Sequence, residues 1–140
     1  MKKSDAISKV LSRNDTGETG GHQAGILIPR QEEILSFFPK LTTDNKNPRH
    51  IISFHDKFGE KWKFTFIYYN NSFFGGTRNE YRLTGMTRFI SNNNLKCGDS
   101  LTLTRDDEGM YNVFCSKRNN SNLIDDETLK LGSTWKVISI

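Results

Sequence analysis

Alternating aromatic residues in the segment Lys61–Tyr69 constrain the fold of this chain more than any other feature. The sequence KWKFTFIYY places an aromatic side chain at every second position from Trp62 to Tyr68, whereas Lys63 and Thr65 lie between them. Residues two apart share one face of a strand, so one face here is apolar and the other polar. This pattern is typical of an antiparallel strand with one face against a core. The chain is therefore predicted to be mainly β.

Shorter segments repeat the strand pattern and are joined by recognisable turns. Alternation predicts further strands at residues 101–104, 111–115 and 135–140. Residues 50–54 precede the long strand through a turn at residues 56–60, which predicts a β-hairpin. Residues 106–109, with the sequence DDEG, predict a second hairpin turn between two strands.

Helical signals are few. Residues 30–38 follow Pro29, carry acidic residues in their first turn and end at Pro39, which predicts a helix. Three apolar residues at helical spacing would pack this helix on the sheet: Ile34, Phe37 and Phe38. Residues 123–131 predict a second short helix. Seven short strands with one or two helices describe a β barrel or pseudobarrel, and residues 1–140 are expected to form one domain with one core.

Composition excludes several classes of protein. No apolar run approaches the ~18 residues that cross a bilayer, and no apolar stretch follows the first lysines as in a signal peptide, so a cytoplasmic location is predicted. Cys97 and Cys115 are isolated, which indicates reduced thiols rather than a zinc site or a disulfide framework. Residues 1–90 carry 14 Lys and Arg against 9 Asp and Glu, whereas residues 91–140 carry 6 against 7. An anionic partner would therefore face the first two thirds of the chain.

Two glycine-rich polar segments stand apart from the strand pattern. Residues 12–29 contain four glycines and a row of short polar side chains, and residues 74–82 add two arginines to a Gly-Gly pair. Fixed glycines indicate unusual backbone dihedrals or a close approach of the backbone to a ligand. A histidine in one segment and arginines in the other suggest a clamp on a polyanion, for which double-stranded DNA is the preferred candidate.

The second segment has the residue types that read base edges in DNA. An arginine presents two parallel donors to O6 and N7 of guanine, and an asparagine pairs with adenine in the same bidentate manner. Glu80 would either accept from a cytosine amino group or hold Arg78 or Arg82 in one rotamer. The alternative is a solvated hairpin whose charges pair with one another.

The first segment would bind phosphates through its backbone amides and hydroxyls, with His22 and Arg13 near base edges. Its glycines would let the backbone sit deep in a groove. The alternative is a β-bulge or a wide turn, which needs fewer glycines. A phosphate-cradling nucleotide loop ranks lower, because neither Gly-x-x-x-x-Gly-Lys-Ser/Thr nor Gly-x-Gly-x-x-Gly is present.

Short motifs in a fixed order carry a family resemblance. They are NDTGETGGHQ at residues 14–23, Gly25, Ile28-Pro29, YYN at residues 68–70, Phe74-Gly75, and TRNE at residues 77–80 followed by Arg82. From about residue 9 to residue 117 the chain resembles the N-terminal DNA-binding domain of the restriction endonuclease EcoRII and its relatives. That family shares its fold with the plant B3 transcription-factor domains, a seven-stranded β pseudobarrel with short helices. The resemblance implies two arms that grip the major groove of DNA.

The resemblance also implies which residues bind. The first arm, residues 13–23, would bind DNA through Arg13, Asn14, Asp15, Thr16, Thr19, Gly20, His22 and Gln23. The second arm, residues 77–82, would bind through Thr77, Arg78, Asn79, Glu80, Tyr81 and Arg82. Family members read short duplex sites that contain G·C pairs, of which CCWGG is one. Gly76 and Tyr81 replace two lysines of the family pattern, so the mode of binding follows from the resemblance but the target sequence does not.

Catalysis is not expected within these residues. HDK at residues 55–57 begins like a phospholipase-D-type His-x-Lys-x-x-x-x-Asp motif, but Trp62 stands where the Asp should be. The acidic residues 125–127 are one position too far from Lys130 for a metal-dependent nuclease pattern. No metal or cofactor is predicted, and the nuclease domain is expected elsewhere in a longer bacterial polypeptide. The rival functions are a β module that binds a neutral carbohydrate or protein ligand, and a compact nuclease with an unfamiliar site.

Overall fold

The computed structural model of the protein describes residues 6–17, 25–42, 45–118 and 135–138. In chain order its elements are β1 Ala6–Val10, α1 Arg13–Thr16, β2 Ile26–Ile28, α2 Glu32–Leu35, β3 Arg49–His55, β4 Lys61–Tyr69, a 3₁₀ turn Asn71–Phe74, β5 Glu80–Thr84, α3 Thr87–Asn92, β6 Ser100–Arg105, β7 Tyr111–Ser116 and β8 Lys136–Val137. The long aromatic strand has the bounds predicted from its alternation. The helix predicted at residues 123–131 lies outside the described residues, and α3 was not predicted.

The described strands form one sheet in the order β2-β5-β4-β3-β7-β6-β1-β8. Neighbouring strands are antiparallel except for β3 and β7, which are parallel. The prediction of seven strands is one too few, because the described part of the chain has eight. Strand β1 was not predicted, since Lys9 lies buried within its AISKV sequence and obscures the apolar alternation.

The two outer strands of the sheet come together. Trp135, directly before β8, donates a hydrogen bond from Nε1 to the carbonyl oxygen of Leu27 in β2, at 3.1 Å. Trp135 is buried and belongs to the same hydrophobic core as the strands. The sheet therefore curls until its first and last strands meet, which confirms the barrel-like class of the fold.

Both predicted hairpin turns are present and are built on an aspartate. In the β3–β4 turn, Asp56 Oδ1 accepts hydrogen bonds from the backbone nitrogens of Phe58 and Glu60, each at 2.9 Å. Trp62 Nε1 donates to Asp56 Oδ2 at 2.9 Å, and this bond is the main reason why the pKa of Asp56 is lowered. In the β6–β7 turn, Asp106 Oδ1 likewise accepts hydrogen bonds from two backbone nitrogens, those of Glu108 and Met110.

The helix predicted at residues 30–38 is shorter than expected but packs as expected. Helix α2 ends at Leu35, after which the backbone nitrogens of Phe37 and Phe38 bond to carbonyls three residues earlier. Such bonds tighten the chain into 3₁₀-type turns ahead of Pro39. The three apolar residues of the predicted face, Ile34, Phe37 and Phe38, are all buried in the core. Arg105 and Tyr111 both donate to the carbonyl of Phe37, at 2.9 and 3.1 Å.

Candidate nucleic-acid interface

One side of strands β2, β5, β4 and β3 is cationic. Residues paired directly across antiparallel strands point to the same side of a sheet, so the strand registers show which side chains share it. The charged residues on this side are Arg49 on β3, Lys61 and Lys63 on β4, and Glu80 and Arg82 on β5. The other side of these strands carries apolar residues of the core. The charged side is hereafter the cationic face.

The second arm adds Arg78 to this face and ties it to its neighbours. The Arg78 guanidinium lies over the ring of Tyr69, 3.8 Å from the ring centroid. Arg78 Nε lies 3.5 Å from Glu80 Oε1, and Arg82 Nε donates to the other carboxylate oxygen of Glu80. Burial opposes ionisation of Glu80, but the hydrogen bonds and charges of Arg82 and Arg78 outweigh it and lower the pKa of that carboxyl.

The position of Glu80 bears on its two predicted roles. Its carboxylate contacts both arginines, which matches the role of holding them and also the alternative of a hairpin whose charges pair internally. Two cations share one carboxylate, so the cluster keeps a positive charge. Among the described residues, the terminal nitrogens of Arg78 have no hydrogen-bond partner, and 36% of its side chain is exposed. The cluster therefore retains donors for an external acceptor.

Asn79 and Tyr81 lie on the other side of the second arm. Tyr68 donates its hydroxyl to Asn79 Oδ1 at 2.5 Å, and Arg30 Nη2 also contacts that oxygen. The ring of Tyr81 stacks on Tyr68 with centroids 4.3 Å apart and planes 10° apart. Burial is the main cause that raises the pKa of Tyr81. These contacts hold the second arm in position from the side opposite the cationic face.

Arg30 is a residue that sequence reasoning missed at this site. Its Nη2 donates to the backbone carbonyl of Asn79 at 3.1 Å and to the Tyr68 hydroxyl at 3.3 Å. Its guanidinium also lies over the Tyr68 ring, 5.6 Å from the centroid. The available signal was its place directly after the Ile28-Pro29 motif, but that place was interpreted only as the start of a helix.

The turn that leads into the second arm is held by Asn71. Its side-chain Oδ1 accepts a hydrogen bond from the backbone nitrogen of Arg78 at 2.7 Å, and its carbonyl accepts one from Gly76 at 2.6 Å. A Cβ on Gly76 would lie only 2.7 Å from that same Oδ1. Glycine is therefore needed here so that Asn71 can support Arg78. Thr77 lies exposed between the two.

The first arm begins with the helical turn α1. Ser12 caps it: its side chain accepts from the Asp15 nitrogen, and the Asp15 carboxylate accepts from the Ser12 nitrogen. Asp15 is 4% exposed and receives Lys9 Nζ at 2.6 Å, so it is enclosed by the fold rather than presented to a ligand. Arg13 and Asn14 on the same turn are exposed, and Thr16 is half-buried.

The chain that follows the first arm enters the sheet beside the second arm, since β2 pairs with β5. Thr19, Gly20, His22 and Gln23 lie outside the described residues. Gly25, where the description resumes, has φ +88°, and a Cβ there would lie 2.5 Å from the carbonyl oxygen of Leu83. Arg82 Nη1 donates to the Gly25 carbonyl at 3.0 Å. Gly25, two residues after the first arm, therefore contacts a residue of the second arm.

Comparison with known families decides the relationship. The family model described as "Restriction endonuclease EcoRII, N-terminal" matches residues 2–122. The chain belongs to this family. The type II restriction enzyme EcoRII of Escherichia coli is 39% identical over 98 residues, which cover 68% of this chain and 24% of that protein. The family resemblance drawn from the sequence motifs is thus confirmed.

Plant B3 proteins are also similar to this chain. The B3 domain-containing transcription factor NGA2 of Arabidopsis thaliana is 28% identical over 109 residues, covering 76% of this chain and 33% of that protein. Auxin response factor 16 of Arabidopsis thaliana is 30% identical over 108 residues, which cover 77% of this chain and 15% of that protein. The chain therefore spans a third or less of the length of each of these relatives.

The described residues contain no group of three or more His, Cys, Asp or Glu side chains that could hold a metal ion. No described helix has the length and apolar character that a membrane span requires.

Proposed function

We propose that this chain is the target-recognition domain of a type II restriction endonuclease and binds double-stranded DNA in a sequence-specific manner. The observation that carries the proposal is the cluster of Arg78, Glu80 and Arg82 on the cationic face, where Arg82 contacts Gly25, two residues after the first arm. The family match and the restriction enzyme and transcription factors among the relatives support it.

The chemistry of the cluster suits base recognition in the major groove. A guanidinium reads guanine only when its two donors are held in one plane and one direction. The Tyr69 ring and the Glu80 carboxylate restrict Arg78 to such a direction while its terminal nitrogens keep their donors. Preorganisation of this kind lowers the entropy lost on binding. We therefore assign base reading to Arg78 and Arg82, and positioning to Asn79 and Tyr81.

The remaining surface suits the DNA backbone. Arg49, Lys61 and Lys63 extend the positive charge of the cationic face beyond the arms. In the first arm, Arg13 and Asn14 are exposed, and His22 at the inner end would approach base edges through the groove. Two arms on one cationic face would contact the duplex as a clamp.

The wider biological context is part of the same proposal. A short G·C-containing duplex site, CCWGG or a related sequence, would be the target. Residues 1–140 would act as one domain of a longer bacterial, cytoplasmic polypeptide in which another region carries the nuclease. These residues would then select the site without cutting it.

A selection experiment tests the proposal. The chain should enrich one short motif from a pool of randomised duplexes in a mobility-shift assay. Arg78→Ala should weaken binding to that motif by ~1–3 kcal/mol and relax the preference for it. Lys40→Ala, which removes an exposed cation outside the two arms, is the matched control and should leave the affinity and the sequence preference unchanged. Binding that ignores sequence in the wild-type chain would refute the proposal.

Salt dependence separates this function from binding of a neutral ligand. A protein that contacts roughly six to ten phosphates loses ~10³–10⁵-fold in affinity between about 50 and 200 mM salt. A carbohydrate or protein ligand held by the glycine segments would show no comparable loss. Metal-dependent cleavage of duplexes by the chain alone would instead support the compact-nuclease rival.

A further inference from the structure

A second group of cations lines one cleft at the far end of the cationic face, where Lys61 and Lys63 belong to that face and Arg88 lies beside it. Lys61 and Lys63 near the start of β4 and Arg88 in α3 line one open cleft of about 490 Å³. Trp62 and Gly85 also line this cleft, and the Arg88 guanidinium lies 6.0 Å from the centroid of the Trp62 ring. All three cations are exposed. The cluster is separate from the arms in sequence and in position along the strand.

The cluster is nevertheless continuous with the arms. Lys61, Lys63 and Tyr69 share one side of β4, since they are separated by even numbers of residues. Tyr69 carries Arg78 of the second arm on its ring. Lys63 and Tyr69 are six positions apart along the strand, so their Cα atoms lie ~20 Å apart. A partner that lies over this face can therefore reach both ends of β4 at once.

The cations of the cluster are not neutralised within the described structure. Ion pairs between described residues join, for example, Lys9 to Asp15, Arg78 and Arg82 to Glu80, and Lys117 to Asp99. No ion pair between described residues includes Lys61, Lys63 or Arg88. The nearby carboxylate of Asp56 is occupied by Trp62 and by backbone nitrogens of its own turn. Three uncompensated cations in one cleft indicate a site for a multiply charged anion.

We propose that Lys61, Lys63 and Arg88 hold the phosphates of the DNA that flanks the recognised bases. The inference rests on the proposed function, because it takes the bound duplex from the arms along the cationic face. DNA presents one negative charge per ~1.7 Å of its axis, so the duplex beside a short site offers several phosphates to a cluster ~20 Å away. The cluster supplies affinity without reading sequence, since phosphate contacts carry none. The recognised site is thus shorter than the footprint.

The salt dependence of binding to duplexes of two lengths tests whether the cluster contacts flanking phosphates. The triple variant K61Q/K63Q/R88Q is compared with wild type on two duplexes, one trimmed to the selected site and one extended on both sides. On the extended duplex, the plot of log K against log salt should become shallower by about 2–3 in slope, because each phosphate contact contributes about 0.9. On the trimmed duplex the two proteins should bind alike. The charge-matched control K40Q/K96Q/K136Q removes three exposed lysines outside the cationic face and should leave the slope unchanged.

The outcomes separate this inference from the function on which it rests. A triple variant that enriches the wild-type motif and keeps the wild-type slope on the extended duplex would overturn the flanking site alone. An equal loss of slope on the trimmed duplex would also overturn it, because the cations would then contact phosphates of the recognised site itself. Failure of the wild-type chain to bind either duplex would overturn both proposals. Replacement of single flanking phosphates by methylphosphonates should affect wild type and not the triple variant.

Discussion

Replacement of Asp15 by alanine should destabilise the whole domain although the residue lies at the start of a proposed DNA-binding arm. The Asp15 carboxylate is buried, accepts Lys9 Nζ at 2.6 Å, and completes the capping box by accepting the Ser12 nitrogen at 3.0 Å. Removal of one partner from a buried ion pair costs about 3–5 kcal/mol, because the other charge stays buried without compensation. Loss of the cap contributes about 1 kcal/mol to the same figure. The free energy of unfolding should therefore fall by about 3–5 kcal/mol.

Urea unfolding followed by tryptophan fluorescence measures this loss. Strand β1, which carries Lys9, pairs with β6 on one side and β8 on the other. Loss of the ion pair should therefore destabilise the whole sheet, which unfolds as one cooperative unit. The midpoint should shift at an unchanged m value. The double variant K9M/D15L is the control: an apolar pair in place of a buried ion pair is often neutral or stabilising, so only the loss of the cap, about 1 kcal/mol, should remain. A loss below about 1 kcal/mol for Asp15→Ala would refute this account of the buried pair.

Two further predictions concern the second arm and the response to acid. Gly76→Ala should reduce affinity for the selected duplex roughly tenfold, equivalent to about 1.4 kcal/mol, because the new Cβ displaces the Asn71 side chain that supports Arg78. Its urea midpoint should stay near wild type, and an unchanged affinity would contradict the argument. Asp99 is buried, and hydrogen bonds from Lys117 and from backbone nitrogens outweigh its burial and lower its pKa below 3.8. Its contribution to stability is therefore full above about pH 3.8 and is lost as the pH falls through the lowered value, so Asp99→Asn should flatten the acid limb of a plot of urea midpoint against pH. An acid limb as steep as that of wild type would contradict it.

The sequence was informative wherever a periodic pattern had a single interpretation. Alternation predicted β4 with its observed bounds, and the apolar spacing of Ile34, Phe37 and Phe38 predicted which side chains of α2 and of the turns after it are buried. Strand β1 was not predicted, because a lysine does not fit the apolar alternation of a strand. The buried Lys9 is compensated by Asp15 in the next element, and no local sequence pattern reveals that contact. The contact between Trp135 and Leu27 spans 108 residues, so closure of the sheet was expected only from the fold class.

The candidate site was predicted as two segments, but not as an arrangement of side chains. The motifs indicated both arms, and the structure adds that Arg82 contacts Gly25, two residues after the first arm. Alternation along the second arm then separates its residues: Arg78, Glu80 and Arg82 share the cationic face, while Asn79 and Tyr81 face Tyr68. Sequence reasoning had grouped all of them as binding residues, because the side of the arm on which each lies depends on the register between β4 and β5.

Gly76 and Tyr81, the two positions where the sequence departs from the pattern of the resembled family, each have a structural role. Where the pattern has lysines, Gly76 makes room for the Asn71 side chain, and Tyr81 stacks on Tyr68 directly across the β4–β5 ladder. A slip of one residue in β5 would move Tyr81 to the cationic face and turn Arg82 toward the core. The stacked tyrosines oppose that slip, because it would bury a guanidinium and expose an aromatic ring. In this chain the two positions thus supply geometry, and the positive charge of the second arm is concentrated in Arg78 and Arg82.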